Sequence, residues 1–281
     1  MYFANNIGEY LSLDEVSLSK GELYTFLTNK EGKGKKGSLI SCTNSTLSED
    51  IITTIKRIPQ QARDKVKEVT VDMARNMETA VKECFPNAQI VTDRFHVVKL
   101  VLDALQHIRI GYRWEAIDQE NKAIEKAKAG KSKYTPKLFE NGDSPKQLLA
   151  RSRYILAKKR NQWTTNQQLR ADILFREYPS VQAAYNHCLQ FRNIYEAEDK
   201  IEAERRLESW KLANEKLNLK KFNIAANSIE YNQTNILNFF TNRNTNANAE
   251  SFNAKIKLFR ANLRGVSDPA FFLFRLAKLF A

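Results

Sequence analysis

The chain has 281 residues, 42% of them apolar, enough for a sizeable hydrophobic core and an insertion beside it. Its 45 Lys and Arg against 32 Asp and Glu give a net charge of +13, which favours a polyanionic partner because each neutralised phosphate releases condensed counterions. The three scattered cysteines, Cys42, Cys84 and Cys188, include no CxxC pair, which argues against a zinc knuckle or a disulfide framework.

The first third alternates strand-like and helix-like pieces. Tyr10 to Val16 alternates apolar and polar residues, Glu22 to Thr28 is rich in β-formers, and Ser38 to Cys42 continues as a third strand after the turn-forming Lys30 to Gly37. Ser48 to Val66 carries Ile51, Ile52, Ile55 and Ile58 at helical spacing, with Ser48 or Asp50 as a cap. Lys67 to Met73 reads as a buried strand, Arg75 to Phe85 as a helix broken by Pro86-Asn87, and Ala88 to Thr92 as another buried strand. The expected order is β-β-β-α-β-α-β. That is the core of a ribonuclease-H-like fold, an α/β mixed sheet with flanking helices, although α/β and α+β sheets in general share pieces of it.

From Phe95 to about Asn218 the chain becomes helical and highly charged, with an exposed loop expected over Gly130 to Pro145. Glu196 to Leu219 reads as a solvated helix. These basic runs have two readings, a solvated face or a surface that meets DNA. Trp114, Trp163 and Trp210 all fall in this part and read as helix-packing residues, although one could stack on an unpaired base. An Asn-rich stretch, Asn232 to Asn248, precedes a final helical region from Ala249 onward. The expected organisation is a first core part over 1–96, an all-helical insertion over 97–235, and a last core part over 236–281. No run approaches the ~18 apolar residues of a membrane span, and the first ten residues lack a signal-peptide pattern. A cytoplasmic, nucleoid-associated protein is expected, with its cysteines as small core residues.

Three acids sit where such a sheet can bring them together. Asp14 lies in the first strand, Asp72 ends the strand Val69 to Met73, and Glu250 begins a C-terminal helix. Three oxygen donors completed by water and phosphate suit Mg2+ or Mn2+, and two such ions about 3.5–4 Å apart are a common device for phosphoryl transfer. An acid at a strand end is more often a turn or cap residue, so spacing leaves both readings open. Asp93 and His96 follow the last strand of the sheet, and two ligands are too few to specify zinc. Their expected role is structural or supporting. On the last helical region Glu250, Asn253 and Lys257 share one face. Asn253 would orient Glu250 or meet DNA, and Lys255, Lys257 and Arg260 would meet phosphates. Phe252, Ile256 and Phe259 form an apolar stripe, and Phe271, Phe272, Phe274 and Leu276 read as core.

The segment Val69 to His107, with Asp72-Met73, Phe85-Pro86-Asn87-Ala88 and Asp93-Arg94-Phe95-His96-Val97-Val98-Lys99, resembles the ISL-three family of insertion-sequence transposases. Leu13-Asp14-Glu15, followed by Lys20-Gly21 and Tyr24-Thr25, is similar to that family's first catalytic strand. Asn248-Ala249-Glu250-Ser251-Phe252-Asn253 with Ala254 to Lys257 and Arg260 to Gly265 resembles its last catalytic helix. The resemblance implies a DDE transposase that cleaves DNA at insertion-sequence ends and transfers the strand, with Asp14, Asp72 and Glu250 as catalytic and metal-binding acids. It implies Mg2+ or Mn2+, two ions, as cofactor, and Asp93, His96 and Asn253 as accessory residues. Asp72 is preferred over Asp93 as second acid because the Asp–His pair is accessory in related enzymes. Alanine stands at 249, where the family has glycine before the catalytic Glu, and the family's N-terminal zinc-binding and helix-turn-helix region is expected on a separate polypeptide. The expected partners are that polypeptide, DNA, and a second copy of the chain during synapsis, with no membrane. Two other readings stay open: a DNA-binding protein or truncated remnant that has lost catalysis, and a nuclease that cuts without joining.

Overall fold

The computed structural model describes residues 1–18, 21–244, 247–263 and 268–281, without the side chains of Ala247, Asn248 and Glu250. The described residues divide into two compact units, one of residues 1–97 with 232–281, the other of residues 98–231.

The first unit holds strands β1 (Tyr10–Ser17), β2 (Leu23–Asn29), β3 (Leu39–Thr43), β4 (Glu68–Val71) and β5 (Gln89–Thr92), in the sheet order β3-β2-β1-β4-β5. β1, β2 and β3 are antiparallel neighbours, whereas β4 runs parallel to both β1 and β5. Gly21 has φ +76° and the Leu18 N–H donates to the Glu22 carbonyl at 2.7 Å, so the chain reverses between β1 and β2. The parallel strands are joined through helices α1 (Ser48–Ile55), α2 (Gln60–Arg63) and α3 (Arg75–Cys84). The expected order of strands and helices is therefore present, with one correction. The single helix expected over Ser48 to Val66 breaks before Pro59, which lacks an N–H and disfavours helix in the residue ahead of it. Nor does Ser48 or Asp50 cap it; Leu47 occupies that position without a side-chain bond.

Strand periodicity sorts the side chains onto two faces. Leu11, Leu13, Val69 and Val71 join Ile51, Ile55, Met77 and Val81 of α1 and α3 in one core. Val16, Tyr24, Phe26 and Cys42 meet Phe252, Ile256, Phe272 and Leu276 in a second core. Those last four belong to two helices late in the chain, Ala247–Asn262 and Pro269–Phe280. Phe271 and Phe274, expected in the core, are instead 42% and 57% exposed, because the helix that carries them buries a single stripe.

The second unit is helical. α4 (Arg94–Ala129) starts in the first unit and supplies most of its length here, followed by α5 (Pro145–Arg151), α6 (Thr165–Glu177), α7 (Pro179–Ile194), α8 (Lys200–Leu217) and α9 (Lys220–Tyr231). Its centre is aromatic: Trp210 stacks on His187 at 4.6 Å and meets Phe191 edge-on, and its indole N–H donates to the His187 carbonyl. Trp210 is thus a packing residue as expected, but Trp114 is 58% exposed. Helix α8 buries only Ala203, Leu207, Trp210 and Asn214, in keeping with a solvated helix. The last four helices of the chain, α10 (Gln233–Leu237), α11 (Phe239–Asn242), α12 (Ala247–Asn262) and α13 (Pro269–Phe280), return to the first unit. The Asn238 amide just after α10 donates to the Ile90 carbonyl of β5 at 2.9 Å, which ties this segment to an edge strand. The described residues hold no helix long and apolar enough to cross a membrane. All three cysteines are buried and free.

Candidate active site at the sheet edge

Register, more than any single contact, brings the acids together. Ser12 pairs with Thr70 across the parallel β1–β4 ladder, and Val71 pairs with Thr92 across β4–β5. Two residues past Ser12 and Thr70 come Asp14 and Asp72, so both sit at the same level on adjacent strands, on one face. One residue past Val71 and Thr92 the sequence gives Asp72 beside Asp93, and the Asp93 N–H still donates to the Val71 carbonyl at 2.7 Å. Three carboxylate-bearing positions therefore follow one another along the C-terminal edge of three neighbouring parallel strands.

Each acid is held differently. Asp14 accepts the Glu15 N–H at 2.8 Å through one oxygen and the Asn253 amide through the other. Burial pushes the Asp14 carboxyl up to about 6. The Glu15 N–H, His96 and the Asn253 amide pull it down, while the charge of Asp72 pushes it further up. Asp72 accepts the Ala74 N–H at 2.8 Å in a short turn that leads into α3. Asp93, only 5% exposed, accepts the Phe95 N–H at 3.0 Å and so satisfies a free donor at the start of α4. His96, in the first turn of α4, lies with its Nε2 3.8 Å from the Asp93 carboxylate.

Asn253 projects from α12, the helix whose backbone also carries Glu250. The Glu250 side chain lies outside the described residues, as do Lys20, Asn246, Gly265 and the side chain of Asn248. Among the described residues no group of three or more His, Cys, Asp or Glu is gathered closely enough to hold a metal ion. The donors that do converge, Asp14 and Asp72, are hard carboxylate oxygens. Their mutual repulsion and the buried charge of Asp14 are relieved by a divalent cation, so the donor set fits Mg2+ or Mn2+.

Sequence reasoning passed over a second polar group on the same face of β4. Glu68, 1% exposed, binds the Lys30 ammonium at 2.9 Å, and Lys30 also donates to the Thr70 hydroxyl. The Asn242 and Asn244 amides donate to the other Glu68 oxygen at 3.2 and 3.1 Å, which fixes the chain ahead of α12 to the sheet. The signal was an acid at an inward position of the buried strand Glu68-Val69-Thr70-Val71. On the opposite face Asn76 bridges Glu15 and the Thr46 carbonyl.

The expected phosphate contacts divide. Lys257 is exposed, and Lys255 is exposed while donating to the Gly34 carbonyl at 2.8 Å. Arg260 corrects the expectation: it is 6% exposed and its guanidinium grips both Glu22 oxygens at 2.7 and 3.0 Å. It joins α12 to the sheet and presents no open charge. Replacing Arg260 by Leu should therefore cost about 3 kcal/mol in urea unfolding, because Glu22 loses its partner. Replacing Glu22 by Gln as well should recover part of that loss. Full stability with weakened DNA binding in Arg260→Leu would restore the phosphate role.

Residues 11–276 match the ISL3-type family model described as Transposase. The transposase for insertion sequence element IS1001 of Bordetella parapertussis is 21% identical over 274 residues. That match takes in 97% of this chain and 61% of the relative, so the chain spans about three fifths of the length of the curated relative it matches. No solved structure matches.

Proposed function

The chain belongs to the ISL3 family of transposases, and from that premise we propose that it is a DDE enzyme, cleaving DNA at insertion-sequence ends and joining the freed 3′-hydroxyl to a target. The observation that carries this reading is the placement of Asp14 and Asp72 at one level on adjacent parallel strands, with their charges coupled. The mixed sheet with two parallel strands beside an antiparallel trio, covered by helices on both faces, supports a ribonuclease-H-like core.

In this proposal Asp14, Asp72 and Glu250 hold Mg2+ or Mn2+, two ions. When bound, the metal supplies activation of the attacking oxygen and stabilisation of the leaving one. The chain's own residues do the positioning. Asn253 holds one Asp14 oxygen so that the carboxylate presents a fixed face. Asp93 pins the start of α4 and with it His96, whose position is felt by Asp14. Lys257 meets a phosphate of the bound DNA. DNA, a separate end-recognising polypeptide and a second copy of the chain are the partners of this proposal.

Incubation with DNA bearing the element's ends tests it, with the end-binding polypeptide present and absent. Nicks leaving 3′-hydroxyls and joined products are expected in Mg2+ or Mn2+ and none in EDTA. Cutting without joining would make the chain a nuclease. Salt-sensitive binding without cutting under any condition would make it a binding module.

A further inference from the structure

Within the helical unit, α4 and α5 enclose a groove of about 640 Å3 whose chemistry is uncommon for a structural cleft. Gln106, Arg109, Ile110, Arg113 and Trp114 enter it from α4, and Arg153 from the turn after α5. Spacings of three and four put these α4 positions on one side of the helix.

Three guanidiniums share this small space. Arg109 is built in: it is 5% exposed, and its guanidinium is held by the Gln106 side chain at 2.6 Å and the Leu149 carbonyl at 2.8 Å. Burial first, then the neighbouring charges of Arg113 and Arg153, push its pKa down from the usual arginine value. The Arg113 Nε is buried and makes no hydrogen bond. Arg153 lies over the Tyr154 ring at 5.4 Å. Among the described residues none of the three pairs with a carboxylate, and the one acid at the groove, Asp103, is bound by Lys99. A fold leaves three unneutralised arginines together at a cost, which an anion relieves. Beside them Trp114 exposes 58% of its surface and Ile110 38%, so the groove offers a flat aromatic face next to a cationic one.

We propose that this groove docks a DNA strand, with a phosphate between Arg113 and Arg153 over Arg109 and an unstacked base against Trp114. Arginine supplies paired donors for phosphate oxygens, and an exposed indole stacks on any base without reading its identity. A fully paired duplex offers phosphates but no free base face, so the Trp114 contact belongs to DNA with an unpaired nucleotide. The inference rests on the reading of DNA as substrate, but not on which acids catalyse.

The test is fluorescence anisotropy in EDTA, with the full chain and labelled duplexes that are either blunt or carry a three-nucleotide overhang. The parent should prefer the overhang by roughly 5- to 10-fold, as a single stacked base at the low end of base–aromatic stacking would give. Trp114→Ala should erase that preference while leaving blunt-duplex affinity unchanged, and Trp114→Phe should keep it. Arg113→Gln/Arg153→Gln should weaken both duplexes by roughly 10-fold and lower the salt dependence. Variants that bind both duplexes as the parent does would overturn the groove while leaving the transposase reading intact. A parent without overhang preference would overturn the base contact. A parent that binds neither duplex would overturn the proposal together with the reading of DNA as substrate.

Discussion

Asp72→Asn is expected to lose roughly 100- to 1000-fold in single-turnover cleavage while binding DNA as tightly as the parent. Asparagine keeps the shape and can still accept the Ala74 N–H that Asp72 holds at 2.8 Å, so the turn into α3 survives. What disappears is a negative oxygen at the level of Asp14, and losses of that order follow when one charge-stabilising group leaves a reacting centre. Asp93→Asn should behave differently. It too keeps its acceptor to the Phe95 N–H, and its loss acts through the placement of His96, so a fall of roughly 10- to 100-fold is expected, the range found for outer partners of metal ligands. The opposite ranking of the two variants would make Asp93 the second acid and Asp72 the supporting residue.

The second large effect is a pH-dependent response to metal. With the Asp14 carboxyl raised from 3.8 to about 6, the folded protein holds a proton there that the unfolded chain has already released. Folding therefore takes up a proton between about pH 4 and pH 6, and this group's contribution to stability falls as pH rises through that window. Above about 6 the ionised carboxylate costs the metal-free fold roughly 1–3 kcal/mol, trimmed by the water that reaches a half-buried group. In the proposed metal site a divalent cation at Asp14 would take the place of the proton. In thermal unfolding, 10 mM Mg2+ should raise Tm by about 3–6 °C at pH 8 and by little at pH 5. Asp14→Asn should be more stable than the parent at pH 8 without metal and should not respond to Mg2+. An unchanged Mg2+ response in Asp14→Asn would place the metal elsewhere.

The sheet was legible because its signals are local. Leu11, Leu13 and Val16 alternate with polar neighbours, and Val69 and Val71 form a β-branched run, so period and propensity agree. Asp14 lies within the first strand and Asp72 follows the other, which made both candidates, and the resemblance to the transposase family singled them out. The long-range partners were not legible. Arg260 was read as a phosphate ligand because its partner, Glu22, is 238 positions away, and helical spacing carries no information about a strand on another part of the chain. Asn253 was expected to serve Glu250 or DNA, yet its amide reaches Asp14, a contact fixed by how α12 lies on β1. The break at Pro59 was visible in the sequence, but the isoleucine periodicity on its N-terminal side masked it. Trp114 and Phe274 show the remaining limit: composition says that aromatic residues prefer burial, whereas the helix face decides which of them obtain it.

The two-part construction of the sheet unit has a consequence for the order in which the protein comes off the ribosome. All five strands are made by residue 92, and α1 and α3 are then available to cover one face. The other face, with Val16, Tyr24, Phe26 and Cys42, waits for Phe252, Ile256, Phe272 and Leu276, which follow the whole helical unit. At ~5–20 residues per second that interval is on the order of ten seconds or more. During it the nascent chain carries an apolar sheet surface open to chaperones. It also carries Asp14 without Asn253, so the side-chain contact that holds one oxygen of this carboxylate forms only once the last helices have been made.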